Sequence, residues 1–354
     1  MGPWRSRCVS PDNNVVRILD ANANRASEGL RVVEEYVRFV LDDGHLTQLC
    51  KQLRHDLGVA LGSLATSDLC ASRDTNADIG TSITTEDEYR RAEPRDVALA
   101  SQKRVEQALR CIEEYSKTLV PTVAAAIEKL RYRAYTLGKA ITTTSFSLAR
   151  LSGARLYVLI DGGSSRVDFE QLAASLVEAG VHVLQLRDKQ LTDRELVGRA
   201  RQLRQLTRDT STVCIINDRP DIAALSDADG VHVGQDELSI KDARAIVGLG
   251  KLIGVSTHSI EQARQAVLDG ANYIGCGPTF PSTTKQFEDF PGTNFLREVA
   301  GEISLPAFAI GGITLDGVAL VHHAGLRRVA VSSSIVDSED PAKKARVFLA
   351  AVSS

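Results

Sequence analysis

The sequence lacks the features that mark several common protein classes. No run of apolar residues approaches the roughly 20 that a membrane-spanning helix needs, and the first residues contain no apolar stretch long enough for a signal peptide. The net charge is −3 and no long block carries one sign, which argues against a nucleic-acid or membrane-surface partner. We therefore expect a cytoplasmic protein that binds neither nucleic acid nor membranes.

Cysteine pairs with metal-binding spacing are also missing. No two of the six cysteines are in C-x-x-C spacing, and Cys214 and Cys276 lie within apolar runs. A free thiol in such a run packs as a small hydrophobe. The pattern therefore favours reduced, buried cysteines over disulfides or a zinc site.

The length of 354 residues favours two domains, and the residue pattern changes near residue 150. Residues 1–150 carry apolar residues at helical spacing, interrupted by a polar stretch at Ser67–Asp96. The predicted helices are Val15–Leu41, Leu46–Leu64, Val97–Leu119 and Ala124–Ile141. We expect an all-α four-helix domain here and a separate domain at 151–354.

The helical half contains an internal repeat, because residues 24–36 recur at 103–115. A second helix with a Leu-Arg pair follows each copy, which predicts a duplicated hairpin with pseudo-twofold symmetry. Two interpretations of the repeated charges stay open. They form intrahelical ion pairs, or paired arginines hold phosphates with Asp74 and Asp78 near them. The repeated charges are Arg25, Arg31, Glu34 and Glu35, and then Arg104, Arg110, Glu113 and Glu114.

The second half alternates short β-rich runs with helical patterns, which indicates a parallel sheet. Eight such units in about 200 residues favour a closed α/β (β/α)₈ TIM barrel. An open doubly wound sheet is disfavoured, because no G-x-G-x-x-G follows the first strand. The predicted strands are Arg155–Asp161, His182–Asp188, Val213–Asp218, Gly230–Gly234, Leu252–Thr257, Tyr273–Gly277, Ala307–Gly312 and Arg328–Ser333.

Polar residues follow the strands, where a barrel of this type builds its site. Strand alternation places Gln185, Arg187 and Lys189 on one face. Fixed cations in a barrel mouth are costly without an anionic partner, so they indicate an anionic ligand or, alternatively, a salt-bridged strand end.

Acidic residues end the third and fourth strands. Asp218 follows Asn217 on one, and Asp236 and Glu237 follow the other. Carboxylates at neighbouring strand ends, together with a diphosphate, suit Mg²⁺. Asp218 could instead be a capping residue.

Hydroxyl and glycine residues dominate the later strand ends. Ser256 ends the fifth strand, and a hydroxyl-rich loop with Lys285 follows the sixth. Loops after strands seven and eight, with Gly312, Ser332 and Ser333, form the usual phosphate site of such barrels. The strand ends thus predict one phosphate pocket and a second anion pocket with a metal.

These strand ends together resemble those of thiamine phosphate synthases, over about residues 153–350. The motifs are QLRDK, INDR, DGVHVGQ, GVSTH, GPTFPSTTK, AIGGI and AVSSSI. The resemblance implies that the enzyme condenses hydroxymethylpyrimidine diphosphate with a thiazole phosphate, plain or carboxylated, and releases diphosphate to give thiamine phosphate. It also implies Mg²⁺ as the cofactor and phosphorylated small molecules as partners. A homo-oligomer is compatible with it.

The resemblance also assigns roles to individual residues. Arg187, Lys189 and Lys285 are the implied catalytic cations. Asp218 and either Glu237 or Asp236 are the implied metal ligands. The implied substrate-binding residues are Gln185, Arg187, Asp188, Lys189, Asn217, Ser256, Ser282, Thr283, Thr284, Lys285, Gly312, Ser332 and Ser333.

Two alternatives remain. The barrel could be a TenI-like thiazole tautomerase or regulator, although the presence of Arg187, Lys189, Asp218 and Lys285 argues against it. The helical half resembles an extension linked to phosphorylation of hydroxymethylpyrimidine phosphate, and it could instead be a non-catalytic interaction domain.

Overall fold

A computed structural model describes residues 13–62, 64, 66–73, 91–281 and 291–353. The chain forms two compact units, Met1–Thr142 and Thr143–Ser354. The division falls inside the last long helix of the first half, whereas the sequence predicts it after residue 150.

The first unit contains the four predicted long helices. The first of them ends in a π-helical turn at Val37–Leu41, and a short helix, α3, lies at the start of the predicted polar stretch. The helices are α1 Asn13–Tyr36, α2 Gly44–Leu61, α3 Thr66–Ala71, α4 Pro94–Ser116 and α5 Pro121–Arg150.

The repeated charges of this unit join the helices of each hairpin. Buried Glu34 on α1 accepts from Arg54 on α2 at 3.1 Å. At the repeat position, buried Glu113 on α4 accepts from Arg131 on α5 at 2.6 Å. The same contact therefore occurs in both copies, as a duplicated hairpin requires.

The other repeated charges divide into two groups. Arg31 pairs with Glu35 at 2.9 Å and Arg110 with Glu114 at 2.8 Å, each within one helix. These pairs follow the ion-pair interpretation. Arg25 and Arg104 are exposed, and neither forms an ion pair with a described residue. Asp74 and Asp78 lie outside the described residues.

The second unit is a closed barrel of eight parallel strands in the order β1 to β8, so the TIM-barrel prediction is confirmed. All eight predicted runs contain a strand. The strands are β1 Leu156–Ile160, β2 Val183–Leu186, β3 Val213–Asn217, β4 Gly230–Val233, β5 Leu252–Thr257, β6 Tyr273–Cys276, β7 Ala307–Ile310 and β8 Val329–Val331.

Helices follow the strands and begin at hydroxyl residues. The side chains of Ser165, Thr192, Ser239, Ser259 and Thr314 each accept from a backbone N–H of the first turn, as preferred N-caps do. The helices are α6 Arg166–Glu178, α7 Asp193–Thr207, α8 Pro220–Leu225, α9 Ile240–Val247, α10 Ile260–Asp269, α11 Gly292–Glu302, α12 Leu315–His323, α13 Ser333–Val336 and α14 Pro341–Ser353.

The end of α5 belongs to the barrel unit. Ser147 Oγ accepts from Asn272 Nδ2 at 3.0 Å, and Leu151, just beyond the helix, is buried in the barrel core cluster. Arg150 lies 3.7 Å from Asp229. These contacts explain why the boundary comes before residue 150.

The described cysteines are free, as expected, and Cys50, Cys214 and Cys276 are buried. Burial raises the pKa of each of these three thiols to about 12. Within the described ranges, no helix is long and apolar enough to span a membrane.

Candidate active site

Gln185 points into the barrel and links two neighbouring strands to its interior. Its side chain is buried, its Oε1 accepts from the Tyr157 hydroxyl at 2.8 Å, and its Nε2 donates to Asn217 Oδ1 at 2.5 Å. The hydrogen bonds hold the amide plane of Gln185 in one orientation.

Asp218 stands beside Asn217 at the end of β3 and has left-handed backbone geometry, with φ of 58°. Asp and Asn tolerate this conformation better than most residues. The Asp218 N–H donates to the His232 carbonyl at 2.7 Å, and its Oδ2 accepts from Asn217 Nδ2 at 2.6 Å. The carboxylate is therefore fixed at the barrel mouth.

Two cations of the β2 end lie in the same region. Lys189 Nζ is 4.0 Å from Asp218 Oδ2, with 63% of the lysine side chain exposed. The half-buried Arg187 side chain forms no hydrogen bond or ion pair with any described residue. The structure thus brings Lys189 and Asp218 together without pairing them tightly, and the charge of Arg187 acts on nearby His232.

Sequence reasoning missed His232, which is buried on β4. Its Nε2 is 3.0 Å from Ser256 Oγ and its Nδ1 is 3.3 Å from the Tyr273 hydroxyl. Burial and the nearby charge of Arg187 lower its pKa to about 4, so the ring is neutral near pH 7. The sequence signal that could have identified this residue is a histidine between two valines, Val231 and Val233, in a short apolar strand.

A continuous line of polar side chains crosses the barrel interior. The Tyr157 and Tyr273 hydroxyls are 3.1 Å apart and connect the amides of β2 and β3 with the histidine of β4. Such networks hold their members in fixed positions when each group is satisfied. We call this line the interior polar chain; its members are Asp218, Asn217, Gln185, Tyr157, Tyr273, His232 and Ser256.

Asp188 differs from its neighbours because both of its oxygens bind backbone. Oδ2 accepts from the Gly162 N–H at 3.0 Å, and Oδ1 accepts from the N–H groups of Gln190 and Leu191 at 2.7 and 2.9 Å. Burial acts to raise its pKa, but these N–H donors outweigh it and the pKa is lowered. The contacts give Asp188 a loop-shaping role, and its substrate contact stays a prediction.

The acidic residues after β4 are exposed, and neither Asp236 nor Glu237 pairs with a described residue. The Glu237 side chain lies against Gly234, the residue after β4, since its Cγ lies 3.3 Å from where a Cβ on Gly234 would stand. Across the described ranges, no three His, Cys, Asp or Glu side chains gather into a metal-binding group.

Backbone groups dominate the ends of β7 and β8, where the sequence predicts a phosphate site. Gly312 has φ of 63°, and a Cβ there would lie within 2.7 Å of the carbonyls of Phe280 and Pro281, so the position requires glycine. The first backbone bonds of α13 run from Ile335 and Val336 to the Ser332 carbonyl. The backbone N–H groups of Ser333 and Ser334, the two residues before Ile335, therefore have no acceptor within this helix.

The predicted serines beside this backbone are exposed. Ser332 Oγ donates to the Leu159 carbonyl at 3.1 Å, and Ser333 opens α13. Ser282, Thr283, Thr284 and Lys285 lie outside the described residues.

The closed parallel barrel, with cations and a carboxylate at one end and an N–H-rich glycine loop beside them, has the architecture of phosphate-binding barrel enzymes. A family model described as thiamine monophosphate synthase matches residues 156–335. A second model, described as the ThiD2 family, matches residues 17–140. The chain belongs to the thiamine-phosphate synthase family, a family of transferases.

Individual relatives agree with this assignment. A thiamine-phosphate synthase of Rhodopirellula baltica is 48% identical over 91% of this chain and 88% of its own length. One of Gloeobacter violaceus is 41% identical over 96% and 98%. The solved thiamine phosphate pyrophosphorylase from Pyrococcus furiosus covers 58% of this chain and 98% of its own, with 30% identity and a TM-score of 0.52. These names favour the synthase over the thiazole tautomerase or regulator.

Proposed function

We propose that the barrel joins hydroxymethylpyrimidine diphosphate to a thiazole phosphate, giving thiamine phosphate and diphosphate. The C–O bond between the pyrimidine methylene and the diphosphate breaks, and the diphosphate leaves with the electron pair. A C–N bond then forms between this methylene and the thiazole nitrogen. The aminopyrimidine stabilises positive charge at the methylene, so no strong protein base is needed.

The loose contact of Lys189 with Asp218 carries this proposal. At 4.0 Å the two charges are adjacent without a close hydrogen bond, and Arg187 beside them has no ion-pair partner among the described residues. Separating Lys189 from Asp218 to admit a diphosphate therefore costs little free energy. Preorganised cations aimed at the leaving group stabilise the charge that develops on it.

The oxygen donors at the mouth fit Mg²⁺. The carboxylates of Asp218 and of Glu237 or Asp236 are hard ligands, and this ion takes few protein carboxylates together with phosphate oxygens. When bound, Mg²⁺ supplies charge neutralisation to the diphosphate. The position of the Glu237 side chain against Gly234, at the end of β4, favours Glu237 as the second ligand.

The remaining predicted residues position the two substrates. Gln185 and Asn217 face the pyrimidine with amides already oriented by the interior polar chain, and Ser256 contacts the diphosphate. Gly312, Ser332 and Ser333 hold the thiazole phosphate through backbone N–H and hydroxyl groups. In this proposal Lys285 and the hydroxyls of Ser282, Thr283 and Thr284 close over both phosphates. Alignment of the reacting atoms is itself a large part of catalysis.

Substitution of Lys189 and Asp218 tests the leaving-group assignment. We expect Lys189→Ala and Asp218→Asn each to lower kcat/KM by roughly 100-fold or more, with unchanged circular dichroism. Asn is chosen at 218 because it tolerates positive φ. Arg194→Gln, an exposed change on α7, is the control and should keep full activity. Near-normal rates in both site variants would refute the assignment.

The choice between the two acidic residues has its own test. The Mg²⁺ concentration that gives half-maximal activity should rise strongly in Glu237→Gln and stay unchanged in Asp236→Asn. The reverse pattern would assign the metal to Asp236.

For the helical unit, we propose that it phosphorylates hydroxymethylpyrimidine phosphate, with ATP as phosphoryl donor. Two observations favour this over a pure interaction domain. Arg25 and Arg104 occupy equivalent repeat positions and are exposed without a described ion-pair partner. Arg73 pairs with buried Asp20 at 2.6 and 2.8 Å, which anchors the residue before Asp74.

The test uses the full chain carrying Lys189→Ala, so that the pyrimidine diphosphate accumulates. When ATP and hydroxymethylpyrimidine phosphate are added, we expect ADP and hydroxymethylpyrimidine diphosphate to form in equal amounts. Arg25→Gln/Arg104→Gln should abolish this, and Arg31→Gln should not. No ADP from the parent chain would favour the interaction domain.

A further inference from the structure

A cluster of two arginines and a histidine surrounds a cavity at the amino-terminal end of the barrel, opposite the strand ends of the proposed site. Arg328, the residue after Arg327, and His322, which contacts Arg327, adjoin this cluster. Arg155 directly precedes β1, His182 precedes β2, and Arg327 lies just before β8. The cavity has a volume of about 390 Å³, and its lining residues are Gly153, Arg155, His182, Arg327, Val352 and Ser353.

The charges of this cluster are not balanced by described acidic residues. None of its arginines or histidines forms an ion pair with a carboxylate in the described part of the chain. Burial and then the charge of Arg155 lower the pKa of His182, and the same two causes lower that of Arg328 to about 10. Burial, Arg327 and Arg155 lower the pKa of His322. The positive charges of Arg155 and Arg327 thus disfavour protonation of the groups around them.

Two buried hydrogen-bond donors beside this cluster also lack acceptors among the described residues. His182 Nδ1 accepts from the backbone N–H groups of Arg155 and of the next residue at 3.4 and 3.2 Å, which leaves the ring proton on Nε2. His322 Nδ1 accepts from an Arg327 guanidinium nitrogen at 3.3 Å, which leaves its ring proton on Nε2. His322 Nε2 and Arg328 Nε are buried without an acceptor among the described residues. Unmade hydrogen bonds of buried donors are costly.

A second basic cavity on the barrel, by contrast, has carboxylates beside its arginines. It lies against α7 and α8 and contains Arg201, Arg204 and Arg208, but Asp227 is part of its lining. Arg204 donates to the Asp227 carbonyl at 2.8 Å and lies 3.7 Å from Asp229. Its charges are partly neutralised by the protein itself, whereas those around Arg155 are not.

We propose that the cavity around Arg155 and Arg327 is a second anion site, which binds a phosphate-bearing small molecule. Guanidinium groups match phosphate oxygens with paired, charge-assisted hydrogen bonds. The volume lies within the range of about 300–1,000 Å³ that small-molecule sites span. It therefore admits more than a single phosphate group, and both inorganic diphosphate and a nucleotide carry the required chemistry.

Calorimetric titration of the full chain without metal tests this site. Lys189→Ala and Arg25→Gln/Arg104→Gln are present throughout, to weaken anion binding at the barrel mouth and nucleotide binding at the helical unit. The probes are inorganic phosphate, diphosphate and ADP. We expect at least one probe to bind, and its affinity to fall at least about tenfold in Arg155→Gln/Arg327→Gln, which removes charge-assisted hydrogen bonds. Preference for ADP identifies a nucleotide ligand, and preference for diphosphate or phosphate an inorganic one.

The matched control is Arg166→Gln/Arg346→Gln, which removes two exposed positive charges outside the cavity lining. It should bind like the parent chain. Absence of saturable binding for all three probes overturns the proposal, as does equal affinity in the cavity and control variants.

Thermal unfolding provides a readout that also reports folding. The bound probe should raise the Tm of the parent chain and leave that of the cavity variant unchanged. Because the substitutions relieve repulsion, the cavity variant should not melt lower than the parent without ligand. If the double variant fails to fold, Arg327→Gln alone, at an exposed position, must still weaken binding for the proposal to stand.

Discussion

His232 illustrates how a single buried residue is kept in one charge state. Its pKa of about 4 follows from burial first and from the charge of Arg187 second. A neutral ring can keep one nitrogen as donor and the other as acceptor, so it serves both Ser256 and Tyr273. The barrel interior therefore holds a hydrogen-bonding group rather than a cation.

This lowered pKa predicts a pH dependence of stability. The unfolded chain binds a proton at His232 near pH 6.5, whereas the folded chain does so only near pH 4. The free energy of unfolding should thus be unaffected at neutral pH and fall as the pH drops between these values. Protonation of His232 should lower the free energy of unfolding by about 3 kcal/mol in total once the pH has fallen to about 4. Urea unfolding of the parent chain and of His232→Asn measures it as the difference between the two pH profiles.

The control for this measurement is His323→Asn, at an exposed position on α12, which should keep the parent's pH profile. Parallel profiles for the parent and His232→Asn would contradict the assigned pKa.

Residues with local signals were predictable. Strand alternation and the resemblance selected Gln185, Arg187 and Asp218, and the structure places all three at or next to strand ends. Tyr157, Tyr273 and His232 were not selected, because their roles depend on contacts between strands far apart in sequence. The loop-shaping contacts of Asp188 likewise depend on a turn that its own motif does not specify.

At the level of elements, one glycine on β5 leaves room for a tyrosine ring from β6. A Cβ at Gly254 would lie 2.1 Å from Cζ of the Tyr273 ring. The absence of a side chain there lets the tyrosine reach His232 and Tyr157. The glycine in the GVSTH motif thus has a packing reason within the barrel.

Gly254→Ala should force Tyr273 out of this position. We expect the free energy of unfolding to fall by about 2 kcal/mol, as overpacking of a core does, together with a loss of activity. Gly250→Ala is the control, since a Cβ there meets nothing within 4 Å. Equal stability of the two variants in urea unfolding would show that the strands can separate without cost.

The helical hairpins give a second test at this scale. Arg131→Met removes the partner of buried Glu113 on the other helix, while a flexible side chain still covers Tyr132 and Tyr135. Glu113 keeps its ion pair with Arg110 at 2.8 Å, so the cost should be about 2 kcal/mol, below the roughly 3 kcal/mol of a buried charge left with no partner. The exposed pair of Arg31 offers the control, because Arg31→Met should cost only a few tenths of a kcal/mol. Chemical denaturation followed by helical circular dichroism measures both, and similar losses would contradict the structural role of Glu113.

At the scale of the whole molecule, both halves were predictable because each has its own periodicity. The pattern distinguished helices at 3.6-residue spacing from eight alternating β-α units. The boundary was less accessible, because α5 is one helix whose sequence pattern does not change at Thr142. Contacts to Asn272 and burial of Leu151 decide where the barrel unit begins, and both are long-range.

These contacts predict the stability of shortened chains. A chain that begins at Thr143 should fold as a barrel more stable than one that begins at Ser152. The difference should be about 2 kcal/mol, mainly from burial of Leu151. Urea unfolding of the two chains compares them directly. Equal stabilities would place the start of the barrel after residue 151.

The left-handed backbone at Asp218 also limits how this chain can change over generations. With φ of 58°, most other residues at position 218 would strain the backbone, whatever the chemistry of their side chains. Asparagine and glycine are the replacements that tolerate this conformation. Asparagine is a single nucleotide substitution away from aspartate and would preserve the turn while removing the charge. Under the proposed role of Asp218 as a metal ligand, one nucleotide change would therefore turn this barrel into a folded protein without synthase activity.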